Sequence, residues 1–151
     1  LKKKWIVLGC ILLVIGLCAG VDYIRYRQVD VTIERLDTAG AERQEGEPVL
    51  ITVRAAYHSG EPVVGHNLFA LSLSGGSFKS YRLMTGEDGT AQFAFYPGSA
   101  YFTGGEREIS LQFRDESNSW FIEMYPSVKL DFTLQDAAAD EGGGTIDDFL
   151  K

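Results

Sequence analysis

Residues 58–67 read His-Ser-Gly-Glu-Pro-Val-Val-Gly-His-Asn. Two glycines, a proline and two histidines in ten residues fit either a metal or catalytic loop or a turn between two strands. The flanks decide. Upstream, Val49, Ile51, Val53, Ala55 and Tyr57 occupy alternate positions, and downstream Phe69, Leu71 and Leu73 do the same. Apolar residues two apart are the mark of a strand with one buried face. The stretch is therefore a strand-to-strand turn. Gly60 suits a turn position with φ > 0. Pro62 sets a rigid corner, and Gly65 lets the chain bend again into the next strand.

The same period continues outward. Val29, Val31 and Ile33 form the first set, and Tyr81 and Leu83 a short fourth one after the two already named. Ala91, Phe93 and Phe95 form the fifth, and Ile109, Leu111 and Phe113 the sixth. Trp120, Ile122 and Met124 form a seventh, and Val128, Leu130, Phe132 and Leu134 an eighth. Turn-forming stretches lie between them, among them SGGS, TGEDGT, DESNS and YPS. One wet and one buried face per strand is the habit of antiparallel sheets. Seven or eight such strands predict an all-β, immunoglobulin-like antiparallel sandwich over residues 29–135.

Residues 1–28 differ. WIVLGCILLVIGLCAGV, residues 5–21, holds no charge and follows three lysines. Its seventeen residues rise about 25 Å as a helix, close to the lower limit for a membrane span. Trp5 at one side and Tyr23 and Tyr26 at the other suit the lipid interface. A signal-anchor helix over about 5–24 is expected, with the lysines cytoplasmic and the sandwich extracytoplasmic. Two other fates are cleavage after Gly20, where Cys18-Ala19-Gly20 offers small residues, and lipid attachment at a cysteine. Gly16 and Gly20 form a GxxxG that suits pairing of two helices into a homo-oligomer.

Charge narrows the partners. One acid and five bases precede Val29, which leaves 20 acidic and 9 basic residues from there to Lys151. A chain with that excess and no basic patch does not fit nucleic acid or anionic lipid. Both cysteines, Cys10 and Cys18, lie in the apolar run, so no disulfide staples the sandwich. Residues 136–151 are acidic and glycine-rich and are expected to be a flexible tail. The apolar pair Phe149 and Leu150 makes TIDDFLK a candidate linear motif.

No catalytic or cofactor-binding set emerges. His58 and His66 have only Glu61 as a nearby carboxylate in sequence, short of a zinc ligand set, and read as exposed turn residues. Glu87, Asp88, Asp115 and Glu116 read as turn formers, and no G-x-S-x-G occurs. No metal ligand is assigned. Tyr96, Tyr101, Phe102, Trp120 and Tyr125 fall in or beside loops, where aromatics plug the sandwich ends or bind a partner. Tyr101, Phe102, Trp120, Tyr125, Phe149 and Leu150 are the partner-binding candidates.

G-x-P-V-x-G at Gly60, Pro62, Val63 and Gly65, followed by T-x-x-x-G-x-A-x-F at Thr85, Gly89, Ala91 and Phe93, resembles the bacterial Ig-like domains of the invasin and intimin type. SLSGGSF, with Gly75 and Gly76, is similar too. The resemblance covers residues 29–135 and implies a non-enzymatic bacterial module. Two roles follow: an accessory subunit of an envelope or surface complex with a protein partner in or near the membrane, or a secreted or surface-displayed adhesive domain binding host protein or glycan.

Overall fold

The computed structural model describes residues 2–37, 47–98, 105–117 and 119–136. Helix α1, Lys2–Gln28, outruns the predicted span at both ends. Arg25 and Arg27 close its last turn, where cations complement the helix dipole. Apolar side chains cover all of its sides, and Leu12, Leu13 and Leu17 stand exposed. The helix is long and apolar enough to cross a membrane.

No linker separates α1 from the sandwich, because β1 (Val29–Asp37) begins at the next residue. The strands that follow are β2 (Val49–Tyr57), β3 (Asn67–Ser72), β4 (Ser77–Phe78), β5 (Arg82–Met84), β6 (Thr90–Tyr96), β7 (Gly105–Asp115) and β8 (Ser127–Asp136). They form two antiparallel sheets, ordered β1-β2-β6-β4 and β5-β3-β7-β8. With β1, β2, β3, β4, β6, β7 and β8 taken as strands A to G, the sheets become A-B-E-D and C-F-G. That is the immunoglobulin order, and β5 adds a short strip beside C.

The inner faces supply the core. Val49, Ile51, Val53 and Ala55 of β2 and Ala91, Phe93 and Phe95 of β6 are buried. Leu68, Ala70, Ile109, Leu111 and Phe113 meet them from the other sheet. Aromatic rings bridge the layers. Phe93 lies 5.2 Å from Phe113, and Phe78 packs edge-on at 6.0 Å to each of them. Such tilted and edge-to-face pairs add to the energy of burial itself.

Three strand expectations need correction. Phe69, Leu71 and Leu73 are not the buried set of β3. Leu68 and Ala70 are fully buried, while Leu71 and Leu73 face out. The run Leu68-Phe69-Ala70-Leu71 is apolar at both parities, so its pattern holds no phase. Pairing with β7 fixes it, by placing Leu68 opposite Asp115 and Ala70 opposite Phe113. The second correction is the seventh strand. Trp120, Ile122 and Met124 lie in the β7–β8 loop and pair with no strand. The fourth set is shifted as well. Leu83 packs on the core from β5, Tyr81 is exposed, and the buried aromatic of that region is Phe78.

Register brings four segments to one end of the sandwich. Val29 pairs with Tyr57, Arg54 with Thr90, Leu68 with Asp115, and Arg114 with Ser127. The α1–β1 junction, the 58–66 turn, the 85–89 turn and the β7–β8 loop therefore share the end on which α1 sits.

Candidate functional site

The 58–66 turn is held by residues far along the chain. Gly60 and Gly65 both have positive φ, and Val63 between them is buried. The Val63 amide donates to the Ala55 carbonyl at 3.0 Å and the Gly65 amide to the Thr85 carbonyl at 3.0 Å. The Thr85 hydroxyl, itself buried, donates to the Val63 carbonyl at 2.6 Å and accepts from the His66 amide at 3.0 Å. Gly89 closes the clasp. Its φ is +75°, and a Cβ there would lie 2.6 Å from the Ala55 carbonyl and 3.0 Å from Pro62 Cβ. The two halves of the G-x-P-V-x-G and T-x-x-x-G pattern are thus one physical unit. Asp88 completes the second turn by accepting from the amide and hydroxyl of Thr90, and these bonds, the amide first, hold its carboxyl below the ordinary aspartate value.

Neither histidine is a free turn residue. His58 Nδ1 lies 2.5 Å from Asp30 Oδ2, and His66 Nδ1 lies 2.7 Å from Asp115 Oδ2. Asp115 is more than a turn former: it is the fully buried last residue of β7. Its other oxygen accepts from the Ser117 amide at 2.9 Å, and the Ser117 hydroxyl accepts from the Asn67 amide at 2.7 Å. The pair therefore locks the β3–β7 corner. Both carboxylates lie far from their histidines in sequence, which is why local spacing misses them. Among the described residues no three His, Cys, Asp or Glu side chains converge on a metal-sized site. Beside α1 a cleft of about 360 Å³ holds the His58–Asp30 pair with Tyr26, Arg27, Pro126 and Ser127.

Glu116 is likewise more than a turn residue. It accepts from Arg82 Nε and Arg114 Nη2, each at 2.8 Å. These guanidiniums lie 5.1 Å and 4.8 Å from the Phe69 ring centroid, and Arg114 also lies 5.0 Å from that of Tyr125. Cation–π contact explains how Phe69 stays half-covered on an outer face. Tyr125 lies in the β7–β8 loop, with its ring packed into this stack.

The strongest feature is the join between α1 and the β7–β8 loop. Asp22, on the helix, is fully buried. Its carboxylate accepts from the Trp120 amide at 3.0 Å, the Phe121 amide at 2.6 Å and the Ile122 amide, and the Ser119 hydroxyl lies 3.2 Å away. Three successive amides turned to one carboxylate leave none for a strand ladder, which is why the predicted seventh strand does not form. Arg25, one turn on, sets its guanidinium 3.5 Å from the Trp120 ring centroid. The side chains of the loop point outward, with Trp120 66% exposed, Phe121 57% and Ile122 41%. Trp120 is no plug of the sandwich. The sequence carries one signal for this join, since Asp22 is an acid on a helix otherwise apolar and basic.

Among the described residues a Cβ at Gly16 or Gly20 meets nothing within 4 Å, so neither glycine is needed for packing against them. Tyr101, Phe102, Phe149 and Leu150 lie outside the described residues.

No family model matches the sequence, and no curated protein matches it. Among solved structures the chain is similar to the D00-D0 domain of intimin, at 10% identity and a TM-score of 0.46. The match covers 73% of this chain and 48% of that one, so the chain spans about half the length of that structure. The immunoglobulin-like assignment stands on the sheet order itself.

Proposed function

We propose that this chain is a non-enzymatic Ig-like module of the invasin and intimin type, held at a bacterial membrane by α1. It acts in binding or assembly as an accessory subunit of an envelope or surface complex. The observation that carries the reading is the way α1 ends. It enters β1 without a linker, and Asp22 and Arg25 tie it to the β7–β8 loop. The join lies beyond Gly20, so Asp22 and Arg25 stay with the fold in either case; on a retained anchor it also fixes how the domain sits, and the run it follows is long and apolar enough to cross a membrane. The lysine-flanked end stays cytoplasmic by the positive-inside preference, which puts the sandwich on the other side. Confinement to the membrane raises the effective concentration toward partners there, which serves weak contacts.

The test is isolation of the tagged chain from detergent-solubilised membranes of its native host, with mass spectrometry of the bait and its companions. The expected result is peptides covering Trp5 to Gly20 together with a stoichiometric membrane protein. A bait beginning at Val21 with no companion overturns the reading and favours the secreted adhesive domain.

A further inference from the structure

We infer that the Trp120-Phe121-Ile122 tip of the β7–β8 loop is a second membrane contact that seats the sandwich on the outer lipid interface. The inference rests on the membrane-held reading above. The apolar run from Trp5 to Val21 rises about 25 Å, short of the ~30 Å hydrocarbon core by about one turn. That places Asp22, and the loop bonded to it, at the outer edge of the lipid. A bare carboxylate at that depth is costly. Here it is wholly covered, and its acceptor capacity is filled by the amides of the loop. The amides turn in toward the charge, and the three apolar side chains turn out. Tyr23 and Tyr26 also stand exposed near this end of α1, so helix and loop both present aromatic side chains at one level of the chain.

The residue types suit that depth. Trp and Tyr concentrate at membrane–water interfaces, where an apolar ring and a polar edge are both accommodated. The Arg25 guanidinium stacks on the Trp120 ring, and a cation on an aromatic face suits the boundary between the apolar layer and the headgroups. The acidic excess after Val29 gives the sandwich no electrostatic pull toward anionic headgroups. Seating therefore comes from apolar insertion, and the ligand is the interfacial layer of a neutral phospholipid bilayer.

Trp5 and Trp120 are the two tryptophans of the chain, so each serves as sole reporter once the other is changed to Phe. The full chain is reconstituted in phosphatidylcholine vesicles containing lipid brominated near the glycerol end of its acyl chains. In the Trp5→Phe protein, Trp120 is expected to show blue-shifted emission and at least twofold stronger quenching by this lipid than by aqueous iodide. If iodide quenches Trp120 and the lipid does not, while Trp5 in the Trp120→Phe protein is quenched by lipid, the loop contact is overturned and the anchor stands. If lipid quenches neither reporter, the anchor reading fails and the loop contact falls with it.

Discussion

Asp22 and Trp120, 98 residues apart in the chain, are joined by a 3.0 Å hydrogen bond from the Trp120 amide to the Asp22 carboxylate. With the Phe121 and Ile122 amides on the same group, it makes the β7–β8 loop a continuation of α1 rather than a free hairpin end. Hydrogen bonds to a charged acceptor stabilise by about 1.5–3 kcal/mol. Asp22→Ala is expected to cost the loop about 2 kcal/mol, roughly a 30-fold faster exchange of these three amides. Hydrogen exchange of the full chain checks this, with the amides of β2 and β6 as an unchanged internal reference.

Thr85 carries the clasp between the two turns. Thr85→Val keeps the shape but leaves the Val63 carbonyl and the His66 amide without their partner. Unsatisfied buried groups cost about 1–3 kcal/mol each, so a loss of at least 2 kcal/mol is expected in denaturant unfolding of the full chain in micelles. Gly89→Ala is expected to cost as much, since its Cβ would meet the Ala55 carbonyl at 2.6 Å.

How far the sequence reveals this molecule can be judged residue by residue. In β2 and β6 Val49, Ile51, Val53, Phe93 and Phe95 share one parity, and Thr52, Arg54, Thr90 and Gln92 mark the other as the wet one, so face and phase are both legible despite Leu50 and Ala94. Gly60, Pro62, Gly65 and Gly89 announce the turns for the same reason, because their backbone needs are local. β3 is ambiguous because both of its parities are apolar. The seventh strand misleads because Trp120, Ile122 and Met124 alternate by accident, with Phe121 between them. The His66–Asp115 and Asp22–Trp120 bonds join residues 49 and 98 positions apart, and such pairings exist only once the sheets have formed.

The phase of β3 has a direct consequence. Leu68→Ala empties a fully buried site and is expected to cost about 2–5 kcal/mol. Leu71→Ala, on the outer face, is expected to stay within about 0.5 kcal/mol of the parent. Reversed costs in parallel unfolding curves would return β3 to the opposite face.

Acid acts through Glu116. Partial burial pushes its carboxyl up, but the hydrogen bonds from Arg82 and Arg114 outweigh this and hold it below the ordinary glutamate value. A group whose folded value is depressed stabilises fully above its unfolded value, about 4.3. That contribution is lost as pH falls through the folded value. The parent is expected to lose stability on acidification below about pH 5, and Glu116→Gln to lack that part of the slope. At neutral pH the same change is expected to cost at most about 1 kcal/mol, since both arginines are partly exposed. Thermal unfolding of both proteins across the acid range separates the two effects.

In the proposed reading α1 crosses the membrane and holds the sandwich on the side away from the lysines. Cys10 and Cys18 both lie on α1, so the sandwich has no thiol, and Glu87→Cys adds one on an exposed turn. A membrane-impermeant maleimide applied to sealed, right-side-out vesicles should label the Glu87→Cys protein once and leave the parent unlabelled until the membrane is dissolved. Labelling of the Glu87→Cys protein only after lysis, or recovery of the intact chain outside the membrane fraction, would contradict the account.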